Sequence, residues 1–195
     1  MKIEKQYRDF QIRSEDINTE KRTLELSFSS EEPVERYFGL EILDHTRTSV
    51  DMSRLNNGAP LLVGHDTKDQ VGVVESAKVD TTEKKGRATV RFGNSVRANE
   101  IFQDVVDGIR KNVSVGYIIK KVKEYQEEGK DIVRAMRWQP MEISLVGVPA
   151  DNTVGVGRSD EEVEVEIEKE LKEPEDKPVY KTVNQKKLDL LIHGL

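Results

Sequence analysis

Alternation of apolar and polar positions dominates the first half of the chain. In "RTLELSFS", Leu24, Leu26 and Phe28 are separated by polar residues, the two-residue period of a strand with one face in a core. "QVGVVESAKVD" and "RATVRF" flank the polar, glycine-containing "TTEKKG", which predicts a β-hairpin. Between Ser95 and Arg110 the period changes. Ala98, Ile101, Phe102, Val105, Val106 and Ile109 recur at steps of three and four, as on one face of a helix. Asn94 or Ser95 suits its N-cap, Gly108 weakens its last turn, and Lys111 and Asn112 form the exit. The β pattern then returns: "VSVGYIIKKVKEY" and "DIVRAMRW" around the charged "QEEGK" predict a second hairpin. "MEISLVGV" predicts a further strand before Pro149, and the core closes near "VPADN". The fold class expected is mainly β with peripheral α-helices.

From about Arg158 the pattern stops. Residues 158 to 181 hold ten acidic residues against five basic ones, with Pro174 and Pro178. Such a segment buries too little apolar surface to offset its ordering entropy. The expected organisation is therefore a folded domain over residues 1–157 and an acidic, poorly ordered tail over 158–195. The closing "KKLDLLIHGL" is apolar enough to dock on something.

Composition narrows the functional classes. The 195 residues include 31 Lys and Arg against 37 Asp and Glu, a net charge of −6 that argues against broad binding to nucleic acid or to anionic membranes. Cysteine is absent, so disulfides, thiolate nucleophiles and sulfur-ligated metals are excluded. "MKIEKQYRDF" has no apolar run of signal-peptide length, and no window approaches the roughly 20 apolar residues of a membrane helix. A soluble, unexported protein is expected.

Three positions carry candidate chemistry. His65 ends the apolar run of "APLLVGHDTKD" and is followed by Asp66; an ordinary strand-end histidine is the plain alternative. Together with His45 and His193 it shows no metal-ligand spacing, so neither a metal nor another cofactor is expected. Ser114 lies in "KNVSVGY". There, period-two alternation puts Val113, Val115, Tyr117 and Ile119 on one face and Ser114, Gly116 and Ile118 on the other. The glycine beside the serine leaves room for another backbone to approach. Glu142 sits inside the apolar "MEISLVGV", sharing a face with Ser144 and Val146, where a carboxylate costs free energy unless it is paired. Arg134 and Arg137 on the preceding strand are its bland partners.

In their order and spacing, "GAPLLVGHD", "NVSVGY" and "EISLVGVPADN" resemble the prohead maturation proteases of tailed phages, relatives of the herpesvirus assemblins; the likeness covers roughly residues 36–152. The resemblance implies a small antiparallel β-barrel of assemblin type and a serine endopeptidase with Ser114 as nucleophile and His65 as general base. Glu142 matches the position of an acid in the phage relatives. His45, in a stretch expected to be mobile, is the alternative third member, and Asp66 a more distant one. Backbone amides near "VGVPA", with Gly147 allowing close approach, are the implied oxyanion donors.

The implied partners are the capsid scaffold protein or scaffold segment, the major capsid protein, and the chain itself as substrate, with a homodimer as a further implication. The implied place is the host cytoplasm, inside the prohead. The acidic tail would be cut by the enzyme itself or would dock it on capsid or scaffold protein. On the residues alone, a non-enzymatic β-barrel scaffold or adaptor of the virion stays open.

Overall fold

The structure, a computed structural model, describes residues 2–3, 6–12, 16–147, 163–164 and 166–169. Its spine is one long hairpin, and everything that places the candidate site hangs from it. Strand β10 (Asn112–Glu127) runs antiparallel to β11 (Lys130–Val146). The turn between them, Glu128 and Gly129, has positive φ at both residues, +49° and +77°, matching the twist of the two strands. One outer edge of the hairpin carries β2 (Gln6–Gln11) and β13 (Glu166–Lys169), both on β10; the other carries β6 (Gly39–Leu43) and β7 (Pro60–Val63), both parallel to β11. The sheet continues from β7 through β8 (Asp66–Asp80), β9 (Lys85–Phe92) and β4 (Thr23–Ser30) to β3 (Ile17–Asn18). Strand β5 (Val34–Arg36) pairs with β6, and β1 (Lys2–Ile3) with β12 (Val163–Glu164).

The architecture is mainly β, with one α-helix among the described residues. Two features differ from a small antiparallel barrel. Strands β6 and β7 pair with β11, and β13 with β10, in parallel. The sheet also curls until β2 comes beside β4, but no ladder of hydrogen bonds joins them among the described residues, and the sheet is not closed. Of the segment expected as a tail, the described residues are those of β12 and β13; the rest lies outside the described residues.

The expected hairpin over "QVGVVESAKVD" and "RATVRF" is β8 and β9, and the "RTLELSFS" strand is β4. Helix α1 (Val96–Val106) is capped by Ser95, whose hydroxyl accepts from the Ala98 amide. Ala98, Ile101, Phe102 and Val105 are buried as expected, and the Phe102 ring lies 5.0 Å from that of Phe92. Ile109 is 71% exposed rather than on the apolar face. The helix stops before it, because Gly108 takes φ +69° and turns the chain out.

"DIVRAMRW" and "MEISLV" are one strand rather than two. Pro140 does not end it, because the ladder shifts register between Gly116 and Tyr117, a bulge at which a residue without an N–H is tolerated. Trp138, fully buried, anchors the middle of this strand: its indole N–H donates to the Asp44 carbonyl at 2.9 Å and its ring meets Tyr117 edge-on at 5.7 Å. Burying one such aromatic side chain contributes on the order of 1.5–3 kcal/mol. Val113, Val115 and Tyr117 of β10, with Ile143 and Leu145 of β11, point into the same core. The alternate residues of these strands therefore face the other side of the sheet.

Candidate active site

That other side gathers the polar residues. Ser114 of β10 is directly opposite Ser144 of β11, and Gly116 is opposite Glu142. Ser144 is in turn the register partner of Leu62 in β7, so one row crosses three strands from Ser114 to the end of β7. At that end the chain reverses in two residues, Gly64 and His65, between the paired Val63 and Asp66. Both have positive φ, +63° and +62°, the pattern of a type I′ hairpin turn. His65 is thus a turn residue rather than a strand end. A non-glycine residue in this region is uncommon, although histidine is among the more tolerant.

The turn is fastened to β11. The Gly64 amide donates to the Leu145 carbonyl at 2.9 Å, and the His65 amide donates to Ser144 Oγ at 3.2 Å. The His65 ring meets Glu142: Nδ1 lies 2.8 Å from Oε1. A carboxylate can only accept, so Nδ1 carries the proton in this contact and Nε2 is the basic nitrogen. The second oxygen, Oε2, accepts from the Ser144 hydroxyl at 2.7 Å. The costly carboxylate of the sequence is therefore paired with His65 and Ser144. Arg134 instead meets Glu31 and Asp44, and Arg137 is exposed.

Exposure is graded across the group. The His65 side chain keeps 21% of its surface and that of Glu142 keeps 5%, whereas Ser114 has none. Ser114 Oγ has no hydrogen-bond partner among the described residues, so no bond joins it to His65 in this state. A buried hydroxyl left unpaired carries a cost of about 1–3 kcal/mol, so in this state the Ser114 hydroxyl adds nothing to stability through hydrogen bonding.

The alternatives for the third member separate clearly. Asp66 is exposed and accepts from the Lys68 amide at 2.8 Å. His45 is fully buried, with Nδ1 2.8 Å from the Leu43 carbonyl and Nε2 2.8 Å from Ser29 Oγ. Its surroundings are tied down rather than loose: Ser49 Oγ donates to the Asp44 carbonyl at 2.7 Å, and the Asp51 amide to the Trp138 carbonyl at 2.9 Å. Among the described residues no three His, Asp or Glu side chains converge as a metal-binding group. Of the "VGVPA" stretch, Gly147 is described and exposed; Val148 to Ala150 lie outside the described residues. Sequence reasoning placed Ser144 on the right face but gave it no role. The signal available was the period-two spacing of Glu142 and Ser144, which puts both side chains on one face of a strand.

A family model described as caudovirus prohead serine protease matches residues 9–169, a span that includes His65, Ser114, Glu142 and Ser144. The chain belongs to that family. It is also 52% identical over 138 residues to a major capsid protein of Halomonas phage phiHAP-1. That match takes in 69% of this chain but 23% of the relative, so the chain spans about a quarter of the capsid protein's length. No solved structure matches it.

Proposed function

We propose that this prohead protease family member is an active serine endopeptidase, with Ser114 the nucleophile, His65 the general base and Glu142 the residue that orients the imidazole. The observation that carries the reading is the 2.8 Å contact of His65 Nδ1 with a buried carboxylate, on the same sheet face as a buried serine hydroxyl without a partner among the described residues. In the first half-reaction His65 Nε2 takes the Ser114 proton as Oγ bonds to the scissile carbonyl carbon. The imidazolium then returns that proton to the departing amine as the C–N bond breaks. Water attacks the acyl-enzyme with the same histidine as base, releasing the acid and regenerating Ser114. Glu142 holds Nδ1–H and stabilises the imidazolium without taking its proton. Since Ser114 has no exposed surface, a substrate carbonyl reaches it only after local opening of this face.

The substrates of this reading are capsid-assembly proteins. The family description supports a role in the prohead, and the likeness to a major capsid protein supports a capsid protein as substrate or covalent neighbour. Self-cleavage would fall beyond Asn152, in the acidic segment that follows the protease domain. Incubating the full chain with phage capsid and scaffold proteins, followed by mass spectrometry, should show time-dependent fragments. A fluorophosphonate probe should add its phosphonyl group to Ser114 with loss of fluoride. No fragment and no adduct would overturn the enzymatic reading and leave a non-enzymatic scaffold or adaptor of the virion.

A further inference from the structure

We propose that Ser144 is a positioning residue of this site, a hydroxyl that fastens the base-bearing turn and the orienting carboxylate to each other; the proposal rests on the protease reading. Ser144 Oγ donates to Glu142 Oε2 at 2.7 Å and accepts from the His65 amide at 3.2 Å, while Glu142 Oε1 faces His65 Nδ1 at 2.8 Å. The contacts close a ring. His65 is held at its backbone by the serine and at its imidazole by the carboxylate, and the serine joins the two holds.

Two parts of that ring carry conformational freedom that the serine restrains. Glutamate has three side-chain torsions, and its terminal one is broad, so a second bond to Oε2 is what fixes which oxygen faces the imidazole. His65 occupies a two-residue turn at φ +62°, a conformation uncommon for a residue other than glycine. Ser144 has no exposed surface, and its hydroxyl is used both as donor and as acceptor. It is also the direct register partner of Ser114 in β10 and of Leu62 in β7, three residues before His65. The hydroxyl therefore lies in the row that spans from nucleophile to base. Its loss should slow the chemical step more than it weakens binding, since it is fully buried and bonds to neither Ser114 Oγ nor His65 Nε2.

The test compares full-length Ser144→Ala, Ser144→Thr and Ser144→Cys in fluorophosphonate labelling, resolved into the maximal inactivation rate and the half-saturating probe concentration. Proton NMR follows the downfield Nδ1–H resonance of His65, and thermal melting checks the fold. Ser144→Ala should lower the maximal rate about 10- to 100-fold, the range of one hydrogen bond to a charged group, with half-saturation changed less than about threefold. It should also broaden the Nδ1–H signal, and Ser144→Thr should restore most of both. A folded Ser144→Ala protein with the wild-type rate and signal overturns the proposal, as do equal losses in the alanine and threonine variants. Should the alanine variant fail to fold, Ser144→Cys decides, because its weak S–H donor keeps nearly the same volume: a slowed rate with a native melt supports the role, and a wild-type rate removes it. A Ser114→Ala protein that labels like wild type would instead sink the protease reading. In that case the Nδ1–H resonance still decides whether Ser144 holds the imidazole.

Discussion

The described residues contain two serine–histidine neighbourhoods, and the one in which a serine hydroxyl bonds the imidazole is not the one we assign to catalysis. Ser29 and His45 lie 2.8 Å apart, both fully buried, with the other ring nitrogen 2.8 Å from a backbone carbonyl and the ring edge-on to Trp138 at 5.4 Å. Every polar atom of that imidazole is satisfied by the resting fold, and no substrate could reach it. Around His65 the balance is reversed. The imidazole is partly exposed, its Nδ1 meets a carboxylate instead of a carbonyl, and the serine in the neighbouring row has no partner among the described residues. A carbonyl dipole fixes a tautomer, whereas a carboxylate also stabilises the imidazolium that general-base catalysis creates. The difference lies in what stands behind the imidazole and in whether a third molecule can enter.

Substitutions at the two sites should part company most widely at the serines. Ser114→Ala and His65→Ala should each lower cleavage or probe labelling per folded molecule by roughly 10³- to 10⁶-fold, while Ser29→Ala and Ser53→Ala should leave the rate per folded molecule intact. Equal losses at Ser29 and Ser114 would erase the distinction.

The carboxylate comes next. Glu142→Gln keeps the shape but lets the amide donate, which favours the wrong imidazole tautomer and should slow labelling by roughly 10²- to 10⁴-fold. A wild-type rate in that variant would mean that Nδ1 needs no anion. For His45 the expectation is on stability alone. His45→Ala should cost roughly 2–4 kcal/mol in chemical denaturation, since it opens a cavity and strands the Ser29 hydroxyl and the Leu43 carbonyl, with labelling per folded molecule unaffected.

The smallest effect should come from a surface ion pair, Asp51 with Lys120. The Asp51 carboxyl is held down to about 2 by its hydrogen bonds with Lys120 and then Ser53. Its contribution is present above the ordinary value of 3.8 and fades as pH falls through about 2. The Asp51 side chain is 38% exposed, so Asp51→Asn should change stability at neutral pH by less than about 1 kcal/mol. Denaturation curves of the two proteins should converge near the acid limit.

Much of the scaffold was legible because period-two and period-3.6 patterns need only local sterics and one buried face. β4, the β8–β9 hairpin and α1 follow directly from that rule. Ile109 misled because its spacing continues the helical face although Gly108 ends the helix before it. The separation expected between "DIVRAMRW" and "MEISLVGV" is absent, since a bulge in the partner ladder accommodates Pro140 between them. His65 was legible as a candidate but not as a turn residue. "VGHD" lacks the Asn-Gly or Asp-Gly pair that usually marks such turns, and histidine is a less frequent occupant of positive φ.

The sequence by itself determined which residue types were available: three histidines, no thiol, a serine two positions from a glycine, and a carboxylate two positions from another serine in an apolar strand. Strand periodicity alone places Ser114 with Gly116 and Glu142 with Ser144, because alternate side chains share a face. Only the tertiary structure decided which histidine meets which serine and which acid. His65 and Glu142 are 77 residues apart, and His45 and Ser29 are 16 apart. The first pairing follows from the register of β7 on β11, and the register of β10 on β11 brings Ser114 into the adjoining row. Register follows from how the apolar faces pack into one core, a collective property that no single stretch of chain carries.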